Sequence, residues 1–82
     1  MKFWNKSRDI RRECWHSAQI SPQSAPNRVL MHRDEFKQIL QKTDGGKFYL
    51  GQYEYDYDTD QYTMTVWTEE EKDMMWVILN WG

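Results

Sequence analysis

The stretch between Lys47 and Trp67 constrains the fold more than any other part of the chain. On both sides of Asp58-Thr59-Asp60, large apolar or aromatic side chains alternate with polar ones, which is the period of two that a β-strand produces. Aspartates favour turns because their side chains bond to the backbone of the following residues. The stretch therefore predicts a β-hairpin.

The alternation assigns each side chain of this hairpin to one of two faces. On the first strand, one face carries Tyr49, Gly51, Tyr53, Tyr55 and Tyr57, and the other carries Phe48, Leu50, Gln52, Glu54 and Asp56. On the return strand, Tyr62, Met64 and Val66 alternate with Thr63, Thr65 and Trp67. A connection of two or four residues joins the tyrosine face to the face of Met64, whereas three residues would separate them. We therefore expect an even connection and a helix that covers this combined face near its middle.

A short helix is predicted before the hairpin. Asp34 and Glu35 place negative charge in its first turn, where the helix dipole favours acids. Its buried stripe follows the helical spacing and consists of Phe36, Ile39 and Leu40. Gly45-Gly46 then supplies a helix stop of the kind in which glycine adopts a left-handed conformation.

A second helix is predicted after the hairpin. Thr68-Glu69-Glu70-Glu71 matches a capping box, in which the threonine hydroxyl and the last glutamate each satisfy a free backbone amide. The expected buried arc has Met74, Val77, Ile78 and Trp81 at its centre, with Met75 and Leu79 at its borders. Trp76 falls on the opposite side of this helical wheel, beside Asp73 and Asn80, and is therefore expected to be exposed or covered by the N-terminal segment.

The N-terminal segment fits two structures. Ile10, Cys14 and Ala18 suit either one side of a helix or the alternation of a strand. Because a lone hairpin makes a marginal sheet, we predict a third strand over roughly Arg11–Ala18. The expected fold class is α+β, with a small antiparallel sheet of three strands, the order β-α-β-β-α and both helices packed on one face. We expect residues 1–82 to form a single domain, with a basic N-terminal segment (1–20), a proline-containing loop (21–32) and a helix-hairpin-helix unit (33–82).

Composition narrows the class of protein. The net charge of −2 combines a basic part, residues 1–33 with a charge of +5, and an acidic part, residues 34–82 with a charge of −7. Such asymmetry is either a sign of charged partners or is neutralised within the fold. Cys14 is the only cysteine, so no intrachain disulfide can form. No stretch has the apolar length of a signal peptide or a membrane span, and we expect a cytoplasmic protein without membrane contact.

No catalytic constellation stands out, and we predict a protein that is not an enzyme and has no cofactor. Asp56, Asp58 and Asp60 match the first three ligand positions of a calcium loop, but Gln61 stands where that loop needs glycine. A solvated turn that begins with aspartate is the alternative interpretation. The pair Cys14 and His16 falls short of the four ligands of a zinc site, so we predict no metal site.

Several short motifs resemble small proteins encoded by tailed bacteriophages. They are Lys2-Phe3-Trp4-Asn5-Lys6-Ser7, Lys47-Phe48-Tyr49, and Val66-Trp67-Thr68-Glu69 continued by Asp73, Trp76, Leu79 and Trp81. The resemblance implies a phage origin, a location in the host cytoplasm and a role in host takeover, and it implies no particular chemistry.

The run from Tyr62 to Trp81 is also similar to the third strand and following helix of the RNA-recognition motif. The strand lacks the glycine of that motif. Basic and aromatic residues near the N-terminus suit phosphate contact and base stacking, namely Arg8, Arg11, Arg12 and Trp15. Binding of RNA or single-stranded DNA is therefore the second functional hypothesis.

The favoured hypothesis is an interaction protein that binds a host or viral protein. Acids interleaved with aromatic residues resemble protein-binding surfaces, and exposed tryptophan is a preferred anchor. The predicted partner-binding residues are Trp76, Tyr55, Tyr57, Glu54, Asp56, Asp58 and Asp60. A structural virion component or homo-oligomer is the third hypothesis, because small chains with exposed edge strands can pair with themselves.

Overall fold

The computed structural model describes residues 1–4, 15–24 and 29–82. Within these residues, the strands are β1 (Lys2–Phe3), β2 (His16–Ile20), β3 (Gln23–Ser24), β4 (Val29–Leu30), β5 (Lys47–Asp56) and β6 (Gln61–Thr68). The helices are α1 (Arg33–Lys42) and α2 (Glu71–Trp81). The predicted α+β class and its two helices are confirmed.

Among the described residues, the main sheet has four strands rather than the predicted three. Its order is β1-β5-β6-β2, and β1 runs parallel to β5, so the sheet is mixed and not purely antiparallel. The Lys2 N–H donates to the Gly46 carbonyl, and the Trp4 N–H donates to the Phe48 carbonyl. A strand of two residues is too short to show a period, which is why the alternation did not predict β1.

The third strand of the prediction corresponds to β2. It runs antiparallel to β6, with Ala18 opposite Val66, and it occupies His16–Ile20 rather than Arg11–Ala18. The part of the predicted strand at 11–14, including Cys14, lies outside the described residues. The predicted loop at 21–32 contains the small separate pair β3–β4, in which Gln23 lies opposite Leu30.

A β-bulge changes the predicted faces of the hairpin. Leu50 lies opposite Val66, but Tyr53 lies opposite Met64, so β5 has one more residue than β6 in this interval. The extra residue moves Phe48 and Leu50 to the face of Tyr53 and Tyr55 and moves Tyr49 to the other face, opposite Trp67. The prediction of one continuous tyrosine face is therefore wrong for Tyr49.

The even connection is confirmed, because Asp56 pairs with Gln61 across a four-residue loop. The face that contains Met64 is also the one that the helices cover. Both helices and the sheet contribute to a single core, whose fully buried side chains include Phe36, Leu40, Phe48, Leu50, Met64, Val66 and Val77. The Phe36 and Trp81 rings meet edge to face, with centroids 4.9 Å apart, and join α1 to α2.

Helix α1 ends without a left-handed glycine. Neither glycine of the predicted stop has a positive φ, and the residue that follows the helix, Thr43, is extended. Gly45 is required for a different reason, since a Cβ atom there would lie 2.7 Å from Asp73 Oδ1. The Gly46 N–H donates to Asp73 Oδ2 over 2.8 Å, so the two glycines admit a buried carboxylate.

The predicted capping box is also wrong. Thr68 is the last residue of β6 and is completely buried between Phe48 and His16 in the sheet. Its hydroxyl donates to the Glu70 carbonyl, and α2 begins two residues later than a Thr68 cap would require. The side chain of the cap residue, Glu70, accepts no hydrogen bond from the free backbone amides of the helix.

Helix α2 is rotated from its predicted orientation. Its buried residues are Asp73, Met74 and Val77, with Trp76 and Trp81 half-buried. Trp76 packs against the core and meets Trp81 edge to face at 5.3 Å, so the prediction that it lies opposite the buried arc is wrong. The outer face instead carries Met75, Ile78 and Leu79, and Leu79 is 84% exposed. Tryptophan rings bury more area than aliphatic side chains, and this favours the observed rotation.

Among the described helices, none is long and apolar enough to cross a membrane.

Candidate functional site at the end of the hairpin

The candidate site is the end of the β5–β6 hairpin, where the chain turns through Tyr57–Asp60. Asp56 Oδ1 accepts a hydrogen bond of 2.9 Å from the Asp58 N–H, which starts the turn. Asp60 completes the turn in the left-handed region with φ of 57°. The turn thus has a defined backbone that fixes the directions of the side chains around it.

Three tyrosine rings form a cluster on the side of the hairpin that continues the helix-covered face. Tyr55 meets Tyr57 and Tyr62 edge to face, with ring centroids 4.9 and 5.2 Å apart. All three side chains are exposed, and Tyr57 is 87% exposed. The predicted site does not include Tyr62, although an even connection implies that it lies on the same face as Tyr55. This tyrosine cluster (Tyr55, Tyr57 and Tyr62) is the apolar part of the site.

Four carboxylates lie at the same end of the hairpin as the cluster, from Glu54, Asp56, Asp58 and Asp60. The ion pairs of the described residues lie elsewhere and join Lys47 to Glu69 and Lys72 to Glu70. The hairpin-end carboxylates therefore have no cationic side chain against them within the described part of the chain. Unpaired charges of one sign produce a field that attracts a ligand of the opposite sign.

A groove of about 470 Å³ lies at the hairpin end, and two rings of the tyrosine cluster, Tyr55 and Tyr57, contribute to its lining. Gln19 of β2 and Thr63 of β6 contribute to its lining, together with the acids Glu54, Asp56 and Asp58. Because Glu54 and Asp56 are two positions apart on one strand, their side chains point to the same face, roughly 7 Å apart along the strand. The groove can thus hold a cationic side chain between carboxylates and neutral hydrogen-bonding groups.

Tyr53 anchors the hairpin end to the rest of the domain. Its hydroxyl donates a hydrogen bond to the Met31 carbonyl next to α1. Burial raises the pKa of the Tyr53 hydroxyl above its ordinary value, so this group stays a donor throughout neutral pH. Tyr53 therefore holds the strand in place next to the exposed tyrosine cluster.

The structure brings together six of the seven predicted partner-binding residues, which are Tyr55, Tyr57, Glu54, Asp56, Asp58 and Asp60. The seventh, Trp76, lies apart from them on α2. Among the residues predicted for nucleic acid, Arg8, Arg11 and Arg12 lie outside the described residues. Trp15 is only 9% exposed, with its ring centroid 6.4 Å from that of Trp4, and is not an open stacking surface.

The hairpin-end aspartates also bear on the calcium alternative. In the residues that the structure describes, no group of three or more His, Cys, Asp or Glu side chains is arranged to hold a metal ion. One oxygen of Asp56 is already engaged by the turn. The hydrogen bond from the Asp58 N–H to Asp56 is the contact that a turn beginning with aspartate is expected to make.

Comparison of the chain with protein-family models, curated proteins and solved structures finds no match.

Proposed function

We propose that the protein is a small interaction module that binds another protein, of a virus or of its bacterial host, through the end of the β5–β6 hairpin. One observation carries the proposal, namely that exposed tyrosines and unpaired carboxylates converge on the same turn. Tyrosine offers a large contact area with few rotatable bonds and a polar tip, which suits binding surfaces.

The charge of the site specifies the partner as basic at the contact surface. The hairpin-end carboxylates, which form no ion pair with the described residues, would gain charge-assisted hydrogen bonds on meeting lysine or arginine. The tyrosine cluster would shield such contacts from water and contribute most of the affinity, because rim charges mainly affect association rate and specificity.

The experiment compares affinity capture from bacterial lysate by the wild-type protein, by a hairpin variant and by a matched control. The hairpin variant is Tyr57→Ala with Glu54→Gln, both at exposed positions, and the control is Leu79→Ala, also at an exposed position. We expect the wild-type and control proteins to recover the same basic partner and the hairpin variant to lose it. The purified partner must then bind directly, and more weakly as salt rises. Equal recovery by all three proteins would refute the hairpin end as the binding site.

A homo-oligomer is the second candidate, because the exposed side chains of Met75, Ile78 and Leu79 form a continuous apolar stripe on α2. Light scattering over a concentration series measures the mass in solution. A mass that rises with concentration in the wild-type protein but not in Leu79→Glu would support this function. The mass of a single chain at every concentration would exclude it.

A further inference from the structure

The outer edge of β5 is protected along its first half and unpaired along its second half. Strand β1 pairs with Lys47 and Phe48 only. The Arg33 guanidinium then donates to the carbonyls of Leu50 and Gly51, over 2.9 and 3.0 Å. From Tyr53 to Asp56, no strand of the described residues pairs with this edge.

The direction of the backbone groups along the unpaired half follows from one side-chain contact. The Ser21 hydroxyl donates to the Tyr62 carbonyl over 2.7 Å, so this carbonyl points away from β5 and toward the side of β2. Tyr62 lies opposite Tyr55, so these two residues form a pair that exchanges no backbone hydrogen bonds. In such an antiparallel pair, the backbone N–H and C=O groups of both residues point away from the partner strand. The N–H and C=O groups of Tyr55, and by alternation those of Tyr53, therefore face the open edge.

Exposed edges of this kind are usually protected by lysine, proline, a bulge or a covering segment. The bulge and Arg33 supply that protection up to Gly51, but Gln52–Asp56 contains neither lysine nor proline. Its protection consists of negative charge on Glu54 and Asp56. In an antiparallel pair of two copies centred on Tyr55, Glu54 of each copy would face Asp56 of the other. Like charges directly opposite destabilise a pair of strands, which disfavours a second copy and favours a basic strand.

We propose that the protein binds an extended basic segment of its partner as an added β-strand on the Tyr53–Asp56 edge of β5. This inference rests on the proposed function and specifies how the hairpin end recognises its ligand. Main-chain bonds to Tyr53 and Tyr55 hold the segment, which is the usual form of strand addition. Its side chains alternate, so that lysine or arginine enters the groove beside Glu54 and Asp56 while apolar residues pack on the tyrosine cluster.

The test uses a fluorescently labelled peptide of about eight residues that alternates arginine or lysine with valine or threonine, as a strand period requires. Two further peptides carry methyl groups on backbone nitrogens. One is methylated at the backbone nitrogen of every basic residue, and the other at that of every apolar residue. The three peptides have the same charge. In an antiparallel addition, the residues opposite Tyr53 and Tyr55 are the apolar ones, and only their N–H groups face β5.

We expect the unmodified peptide to bind and one methylated peptide to bind at least about tenfold more weakly, because it loses two or more ladder hydrogen bonds. The other methylated peptide should bind as the unmodified one does. Weakening by methylation of the apolar positions identifies antiparallel addition, and weakening by methylation of the basic positions identifies parallel addition. Equal affinities of the three peptides would overturn strand addition and leave a binding site made of side chains, so the proposed function would stand.

Amide hydrogen exchange provides a second measurement that needs no substitution. The Tyr55 amide should exchange rapidly in the free protein and slowly with the unmodified peptide bound, whereas the Glu54 amide, which points toward β6, should be protected in both states. Rapid exchange of Tyr55 in the saturated complex would overturn the proposal. Absence of binding by all three peptides would overturn it as well, and the lysate capture would then decide the proposed function independently.

Discussion

Replacement of Asp73 by alanine is expected to destabilise the domain by about 2 kcal/mol, the contribution of a buried hydrogen bond to a charged group. The side chain is 5% exposed, and its Oδ2 atom accepts the Gly46 N–H over 2.8 Å. This bond joins the first turn of α2 to the loop between α1 and β5. Since a domain of this size is stabilised by only about 4–12 kcal/mol, the loss is a large fraction of the total. It corresponds to a decrease in Tm of about 8–16 °C.

Thermal and urea denaturation followed by circular dichroism measure this effect. Asp73→Asn keeps an acceptor oxygen for the Gly46 N–H but loses the charge, so we expect roughly half of the destabilisation, about 1 kcal/mol. Glu71→Ala is the matched control, because Glu71 is an exposed acid in the same first turn and has a similar interaction with the helix dipole. Equal decreases in Tm for Asp73→Ala and Glu71→Ala would show that the buried hydrogen bond between Asp73 and Gly46 does not provide this stability.

Three further predictions concern the hairpin and the orientation of α2. Because burial raises the pKa of Tyr53 in the folded state, the unfolded state releases the Tyr53 proton first, and the stability that this group contributes is complete below pH about 10 and is lost as pH rises through the folded pKa. The free energy of unfolding, measured by urea denaturation at alkaline pH, should therefore decrease less steeply with pH for Tyr53→Phe than for the wild-type protein. Asp60→Val is expected to cost about 1 kcal/mol in urea denaturation because φ is positive, whereas Asp60→Gly should cost nothing. Because Val77 is buried and Leu79 is exposed, Val77→Ala should lower the free energy of unfolding by about 2 kcal/mol and Leu79→Ala by less than about 0.5 kcal/mol. Equal decreases for the two variants would show that α2 is oriented otherwise.

The hairpin shows how much of the fold could be predicted from the sequence. The alternation predicted the two long strands, the even connection and the position of Tyr55 on the same face as Tyr62, because the period of a strand is a local property. The bulge at Gly51 could not be predicted, since it depends on contacts between distant residues. The Arg33 side chain binds the carbonyls at the bulge, and a Cβ atom at Gly51 would lie 3.4 Å from the Trp67 ring.

The orientation of α2 required information that a helical wheel does not contain. The wheel weighs each apolar residue by its position, and on that basis Ile78 and Leu79 belong to the buried stripe. The structure buries Asp73 instead, because the carboxylate has a specific partner in Gly46. A buried polar group is acceptable only with such a bond, and the identity of the partner is set by tertiary structure. The same rotation brings Trp76 into contact with the core and removes it from the candidate site.

The position of the candidate site follows from a difference in length between the helices and the hairpin. Helix α1 has 10 residues and α2 has 11, so each extends about 15–17 Å. Strand β5 has 10 residues and extends about 33 Å. The helices can therefore cover only about half of the hairpin, and the other half must be compatible with water. Tyrosines meet this requirement on one face because each ring has a polar hydroxyl, and carboxylates meet it on the other. Because the fold does not require the hairpin end to be covered, substitutions at Tyr57 and Glu54 should change binding without changing stability.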